Sequence, residues 1–600
     1  MPDLEKPLNF RLTLMAAAVV FASACSTTAP TSKIEANAAK PDVLLPADAI
    51  KSKEGEAQIT LQNEPQVAPM PLPMAAEQDA LKKQESRAFS AKAAAPSMAM
   101  GMMARDAYMM PVPQPEDREN YAHVSDNPIH LAAEQPVSTF SIDVDTGSYA
   151  NVRRFLNEGR LPPSDAVRVE ELINYFDLAG AAPTNRETPF SVQTEMAPTP
   201  WNAKTKLLRV GIKGYVPQGP LPPSNLVFLV DVSGSMNEPN KLPLVKSALK
   251  LLTRQLKAND RISLVTYAGN TAVVLEPTSG DQKATIEQAI DRLDAGGSTN
   301  GAGGIQLAYQ QAAKAFIKNG NNRILLATDG DFNVGVTRFE SLIDMVKEKR
   351  KSGVALTTLG FGTGNYNDQL MEQVADAGDG NYSYIDSLQE AQKVLVAQSA
   401  ATLLTIAKDV KIQVEFNPAQ VSEYRLIGYE NRALKREDFN NDKVDAGEIG
   451  AGHAVTALYE ISLKGEVGDS VDSLRYSKRS FAAPGVGQSG EVAFVRLRYK
   501  RPNEETSRLL EQPVRREQAR NSIASASESL RLGAAVAAFG QKLKGGTYTG
   551  DYGYSDIATL AKGAQAVDSS NSVGEFVRLV GLAQGLSVQL SAAPTRQMIE

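Results

Sequence analysis

The sequence predicts an α/β fold: a doubly wound unit with a mainly parallel central sheet, flanked by β-rich segments expected to share one sandwich and followed by a helical C-terminal region. Three observations carry this. Between residues 225 and 401 short apolar runs alternate with stretches of helical period, the pattern of a sheet with helices on both faces. On either side of that stretch the texture is β-type, and beyond Pro513 the helical period returns. At 600 residues the chain exceeds the roughly 100 to 200 residues of a single domain, so several units are expected.

In chain order, Lys6 and Arg11 accompany an apolar run at 12–22 (LTLMAAAVVFA). It is shorter than the about 20 residues of a membrane span but suits the core of a signal peptide over residues 1–24. Ala22-Ser23-Ala24 fits an ordinary A-x-A cleavage site, whereas an ending on Cys25 resembles a bacterial lipobox, and both cut the same bond. Cys25 is the only cysteine of the chain, standing at the one position where a thiol is diacylated. The expectation is lipidation at Cys25 and a membrane anchor. Ser26 follows where an aspartate would retain the protein in the inner membrane, which by resemblance to that sorting rule favours the outer membrane, facing the periplasm. Residues 25–115 are rich in Ala, Pro, Gln, Lys and Met without a sustained period and read as a lipidated, disordered tether, with a reach of about 50 Å. Its methionines read as incidental to low complexity, not as a copper site.

Residues 116–222 are expected to form an N-terminal α+β region. A strand is predicted at 138–144 (STFSIDV), then a helix capped by Thr146 or Ser148 and a second with Asp165 as N-cap. Extended segments follow at 190–196 and 206–212. From 223 to 407, strands are predicted at 225–230 (NLVFLV), 261–267, 272–275, 323–327 (RILLA), 355–361 and 381–385. Helices between them include 242–257, 285–293, 303–318, 340–349 and 387–407. A β-rich region at 408–512 holds strands at 410–416, 424–429, 455–462 and 491–498, and a helical region at 513–600 holds helices at 523–543, 556–566 and 573–586.

Immediately after NLVFLV comes Asp231-Val232-Ser233-Gly234-Ser235, a D-x-S-x-S motif at a strand's carboxyl end. Thr299 lies in the loop opening the 303–318 helix, and Asp329 closes the strand RILLA. Ligands of open α/β sheets gather outside the carboxyl ends of strands, where these three loops would converge. Two carboxylates and three hydroxyls are hard oxygen donors of low total charge, which suits Mg2+ (or Mn2+) with a coordination position to spare. The competing reading is that Asp231, Ser233 and Thr299 are helix caps.

The set Asp231, Ser233, Ser235, Thr299 and Asp329 resembles the metal-ion-dependent adhesion site of von Willebrand factor type A (VWA) domains, whose fold is Rossmann-like. The resemblance implies that Ser233, Ser235 and Thr299 touch the ion, that Asp231 and Asp329 hold it directly or through water, and that a protein ligand supplies an acidic side chain to the metal. It also implies that the last helix of the domain passes a signal to the β-rich flank. The segment Phe140-Ser141-Ile142-Asp143-Val144-Asp145-Thr146-Gly147-Ser148-Tyr149 and the acidic stretch running to His453 extend the likeness, and the whole layout resembles bacterial YfbK-like VWA lipoproteins. Asp438, Asn440 and Asp442 alternate as in a calcium loop, but Lys443 and Ile449 stand where Gly and Glu are needed, so an acidic turn is the reading. Asp143, Asp145 and His453 read as structural.

Composition narrows the function. With 63 Lys+Arg against 69 Asp+Glu the formal charge is -6, so no nucleic-acid partner is expected. One cysteine and three histidines cannot build a thiolate or H-E-x-x-H metal site. No P-loop and no G-x-S-x-G is present, so the expectation is a binding module, not an enzyme. The alternatives are an unrecognised enzyme or a membrane-transport accessory protein similar to calcium-activated chloride channel relatives, although the mature chain has no hydrophobic span for a pore.

Overall fold

A computed structural model describes residues 118–184, 187–331, 339–466, 490–564 and 571–592. The signal peptide, Cys25 and the tether lie outside the described residues. In the N-terminal segment, β1 (His130–Leu131) and β2 (Val137–Ser141) precede α1 (Gly147–Asn157) and α2 (Val169–Asn174), and a hairpin of β3 (Phe190–Thr199) and β4 (Asn202–Gly214) leads to the α/β unit.

That unit comprises β5 (Ser224–Asp231), α3 (Leu242–Gln255), β6 (Arg261–Tyr267), β7 (Thr271–Ser279), α4 (Lys283–Asp291), α5 (Gly301–Lys314), β8 (Asn321–Thr328), α6 (Phe339–Arg350), β9 (Ala355–Gly360), α7 (Asp368–Ala377) and β10 (Tyr382–Tyr384). Its sheet runs β10-β9-β8-β5-β6-β7, parallel throughout except for the antiparallel edge strand β7. Strand β5 reads as an unbroken apolar run because both its faces are covered. Leu226, Phe228 and Val230 pack with Leu249 of α3 and Ile286 of α4, while Val227 and Leu229 pack with Ile305 of α5, Val346 of α6 and Val374 of α7. Each such side chain contributes about 1.5–3 kcal/mol by burial, so the strand that carries Asp231 is held by its neighbours and not by the site.

The last helix of the unit is α8 (Leu388–Gln392), a π turn (Lys393–Ala397) and α9 (Ser399–Leu403). It delivers the chain directly to β11 (Thr405–Phe416), followed by β12 (Val421–Ile427), β13 (Ile449–Gly450), β14 (Ala454–Leu463), β15 (Glu491–Lys500) and β16 (Arg508–Arg515). One sheet runs β1-β12-β14-β4-β3; in the other, β11 pairs with β2, β13 and β15, and β15 with β16. Strands from both sides of the α/β unit therefore share each sheet. Phe140, Ile412 and Val414 face Val210, Ile212 and Ile461 in one core, so the flanks are one sandwich with the α/β unit inserted. The outer face of the first sheet is covered by α1, α2, α10 (Glu528–Leu543), α11 (Tyr554–Lys562) and α12 (Ser572–Ala592), through Leu207, Leu458, Leu172, Val536 and Phe576. Among the described residues no helix is long and apolar enough to cross a membrane.

Several local expectations are corrected. Thr146 sits at the N-cap of α1 but makes no side-chain cap bond, and Ser148 instead bonds the Ala166 carbonyl. Asp165 lies in a 3-10 turn (Ser164–Ala166), so α2 starts later, after Arg168. The helix expected at 387–407 ends at Leu403 and is interrupted by the π turn. The 523–543 helix begins at Glu528, capped by Ser527, whose hydroxyl accepts from the Leu530 amide at 3.2 Å. Order begins before residue 136, since the Arg118 and Asn120 amides donate to the carbonyls of Gly364 and Tyr366. Helix α7 and the edge strand β16 were not foreseen.

Candidate metal centre

Strand β5 ends on Asp231, and the chain then turns across the sheet top, the Val232 amide donating to the Tyr267 carbonyl of β6 at 3.0 Å. The Ser233 amide donates to Asp231 Oδ1 at 2.9 Å, and a 3-10 turn (Gly234–Asn237) brings the Ser235 hydroxyl to 3.1 Å from that of Ser233. Two backbone bonds clip the next loop onto this turn: Gly296 amide to Val232 carbonyl at 2.7 Å, and Gly234 amide to Gly297 carbonyl at 3.0 Å. Gly297 reverses the chain at φ +84°, a conformation costly for other residues, and Thr299 follows just before α5. From β8, the Thr328 hydroxyl donates to Asp231 Oδ2 at 2.7 Å, and the next residue is Asp329. The carboxyl ends of β5 and β8 thus bring Asp231 within reach of the charge of Asp329, with the Ser233 and Ser235 hydroxyls alongside and the loop that carries Thr299 clipped to the same turn.

The helix-cap reading does not describe these side chains. Ser233 precedes the 3-10 turn without a side-chain cap bond. The residue that caps α5 is Asn300, whose Oδ1 accepts from the Gly303 amide at 3.2 Å. Asp231 and Asp329 are both 0% exposed, whereas Gly234, Gly296, Gly297 and Ser298 around them are open to solvent. Burial, and then the charge of Asp329, push the Asp231 carboxyl up to about 6 against the hydrogen bonds it accepts. Asp231 is thus a buried carboxylate whose ionisation is made costly by burial and by a neighbouring acid, beneath a solvent-open rim of glycines, an environment that a cation would relieve.

One participant was missed from sequence. Lys241, 4% exposed at the head of α3, places Nζ 3.0 Å from Asp329 Oδ2 and 2.7 Å from Asn365 Oδ1. Asn365 Nδ2 in turn donates to Asp329 Oδ2 at 2.9 Å. A Cβ on Gly362, which stands at φ +81°, would collide with the Lys241 stem. No short-range spacing signals this pairing, because lysine and aspartate come from different strand ends.

The remaining candidates are spent on structure. Asp143 and Asp145 pair with Arg432 at 3.2 and 3.3 Å. Asp438 accepts from the Lys435 amide, Asp442 from the Ser507 amide, and Asn440 from Arg498. His453 Nδ1 accepts from the Gly450 amide at 3.1 Å, and burial pushes its imidazole down to about 4. Among the described residues no group of three or more His, Cys, Asp or Glu is placed to hold a metal; the centre above draws on hydroxyls instead.

An open parallel sheet closed by an antiparallel edge, with D-x-S-x-S, threonine and aspartate at its strand ends, defines a VWA-domain protein, a class that often carries a metal-ion-dependent adhesion site. The von Willebrand factor type A domain model matches residues 225–398, a von Willebrand factor model residues 115–209, and the model described as uncharacterized protein YfbK, C-terminal, residues 401–586. The chain belongs to the YfbK family: it is 50% identical over 474 residues to the uncharacterized protein YfbK of Escherichia coli (strain K12), covering 78% of this chain and 81% of that one. It is also 26% identical over 272 residues to inter-alpha-trypsin inhibitor heavy chain H3 of Pongo abelii, spanning 42% of this chain and 30% of that relative. Among solved structures, a von Willebrand factor type A protein from Catenulispora acidiphila matches 65% of this chain and 89% of its own at 15% identity and a TM-score of 0.38.

Proposed function

We propose that this chain is a cell-envelope lipoprotein that binds a protein partner through a divalent ion, Mg2+ or Mn2+, at Asp231, Ser233, Ser235, Thr299 and Asp329, serving adhesion, scaffolding or complex assembly. The observation that carries the reading is the pair of buried carboxylates, Asp231 and Asp329, beside the Ser233 and Ser235 hydroxyls, with the loop that carries Thr299 clipped to the same turn under a solvent-open rim. When bound, the ion supplies a Lewis-acidic position for an acidic side chain of the partner. Asp231 is oriented for this by the Ser233 amide and the Thr328 hydroxyl, one on each oxygen. Asp329 is oriented by the Asp331 amide on Oδ1 and by Lys241 and Asn365 on Oδ2. The Ser233 and Ser235 hydroxyls, 3.1 Å apart, have lone pairs available for a hard cation. Lipidation of Cys25 with a tether at 25–115 would hold this rim clear of the outer membrane on its periplasmic side.

Capture of an envelope protein by the purified chain should require Mg2+ or Mn2+ and disappear with chelator. Asp231→Ala and Thr299→Ala should each weaken Mg2+ binding at least about hundredfold by calorimetry while leaving the fold intact, because β5 is held by its apolar faces. The same heat for wild type and Asp231→Ala would remove the reading. The anchor is tested separately: a fatty-acid analogue should label the wild type and not Cys25→Ala.

A further inference from the structure

We propose that Lys241 strengthens this centre's preference for an anionic ligand at the expense of its affinity for the ion. The inference rests on the metal-dependent reading above and follows from the balance of buried charge. Asp231 and Asp329 together carry two negative charges, and the three hydroxyls carry none. A divalent ion held by these groups alone would bring the centre to a net charge near zero, and a carboxylate from outside would be held by the open coordination position alone. Lys241 adds one positive charge, so the loaded centre keeps a net charge of +1 until a carboxylate arrives.

The geometry makes the lysine a built part of the centre. Its ammonium is 3.0 Å from Asp329 Oδ2 and 2.7 Å from Asn365 Oδ1. Its stem lies across Gly362, where a Cβ would collide with it, and its backbone is tied at the head of α3 by bonds to the Glu238 carbonyl and from the Val245 amide, at 3.0 and 2.9 Å. A surface lysine would swing into solvent and be screened; this one is 4% exposed and acts through a medium of low effective dielectric. Lys241 therefore opposes the ion and favours the ligand, two effects of opposite sign from one charge.

The test titrates the full chain with Mg2+ alone by calorimetry, then titrates the Mn2+-loaded chain with acetate while following water-proton relaxation. Lys241→Met and Lys241→Gln should tighten Mg2+ binding at least about tenfold and weaken acetate binding by a similar factor. Lys241→Arg should stay close to wild type in both. Thermal unfolding in chelator identifies any variant that fails to fold, and the two neutral side chains provide independent routes. Unchanged Mg2+ and acetate affinities in a folded neutral variant overturn this inference and leave the metal reading standing. Binding of Mg2+ by the neutral variants but not by wild type supports the opposition of Lys241 to the ion and overturns the proposed function. Binding by none of them overturns both.

Discussion

Two groups of buried carboxylates in this chain are built in opposite ways. At the carboxyl ends of β5 and β8, Asp329 pairs with one lysine, Lys241, and Asp231 accepts from the Ser233 amide and the Thr328 hydroxyl, beneath an exposed glycine-rich rim. At the junction of the N-terminal segment, α7 and the sandwich, Asp143, Asp145, Glu372 and Asp376 close around the single guanidinium of Arg432. Beside them, Glu171 and Asp368 pair with Arg168. Every one of these carboxylates has a protein partner. The difference teaches that buried acid alone does not distinguish a candidate cation site: the first group has neutral hydroxyls beneath a solvent-open glycine rim, and the second is closed by planar forks that reach several acids at once. The second group acts as a clasp, joining three parts of the chain that are far apart in sequence.

The sharpest way to break this comparison is Arg432→Met. It leaves Asp143, Asp145, Glu372 and Asp376 buried together without their common partner, and loss of one side of a buried ion pair costs about 3–5 kcal/mol. The unfolding midpoint in urea should fall accordingly, and Mg2+ binding measured well below that midpoint should be unchanged. A cost under about 1 kcal/mol would mean that the acids are solvated and that the clasp is not one.

How much of this was legible follows the range over which each feature is encoded. Asp231, Ser233 and Ser235 fall within five consecutive residues after an apolar strand, and Thr299 and Asp329 each stand at a predicted element's end, so the candidate set is written in local pattern. Lys241 was illegible because its role exists only through Asp329, 88 residues on. Arg168 and Asp368 are 200 residues apart, so the clasp left no local trace, and Asp143 and Asp145 looked like a strand end. Strand β16 was missed because Pro513 and its charged residues read as a break; on an edge strand both are tolerated, since its partner β15 lies on one side only. The single helix expected at 387–407 hid a π turn because Lys393–Ala397 keeps helical apolar spacing, with Val394 and Leu395 buried.

A smaller effect distinguishes the two groups by pH. Burial pushes the Glu372 carboxyl up to about 8, against the pull of Arg168 and Arg432. The folded chain then holds a proton that the unfolded chain releases above its ordinary value, so the contribution is fully present below about 4.5 and is lost as pH rises through about 8. Glu372→Gln mimics the protonated acid. It should cost little at pH 5 and lessen the decline between pH 5 and 8 by up to about 3 kcal/mol, measured as unfolding free energy at each pH. A variant whose stability tracks wild type over that range would show that Glu372 is ionised throughout.

The smallest expected effect lies at the edge of the proposed metal centre and asks whether its second loop is held by the backbone or needs an ion. Asn300 follows Thr299 directly and caps α5, its Oδ1 accepting from the Gly303 amide at 3.2 Å. The loop is also clipped by the Gly296 and Gly234 amides, so removing the cap should loosen the helix start without releasing Thr299. Asn300→Ala should cost about 1 kcal/mol of stability. Mg2+ affinity should change by no more than about threefold, since two backbone bonds still fix the loop and each full factor of ten would require about 1.4 kcal/mol. Calorimetry and denaturant unfolding on the same preparation check both numbers. A hundredfold loss of Mg2+ affinity with the stability change still near 1 kcal/mol would mean that Asn300 is itself a ligand, and the donor set would then be four neutral oxygens and two carboxylates.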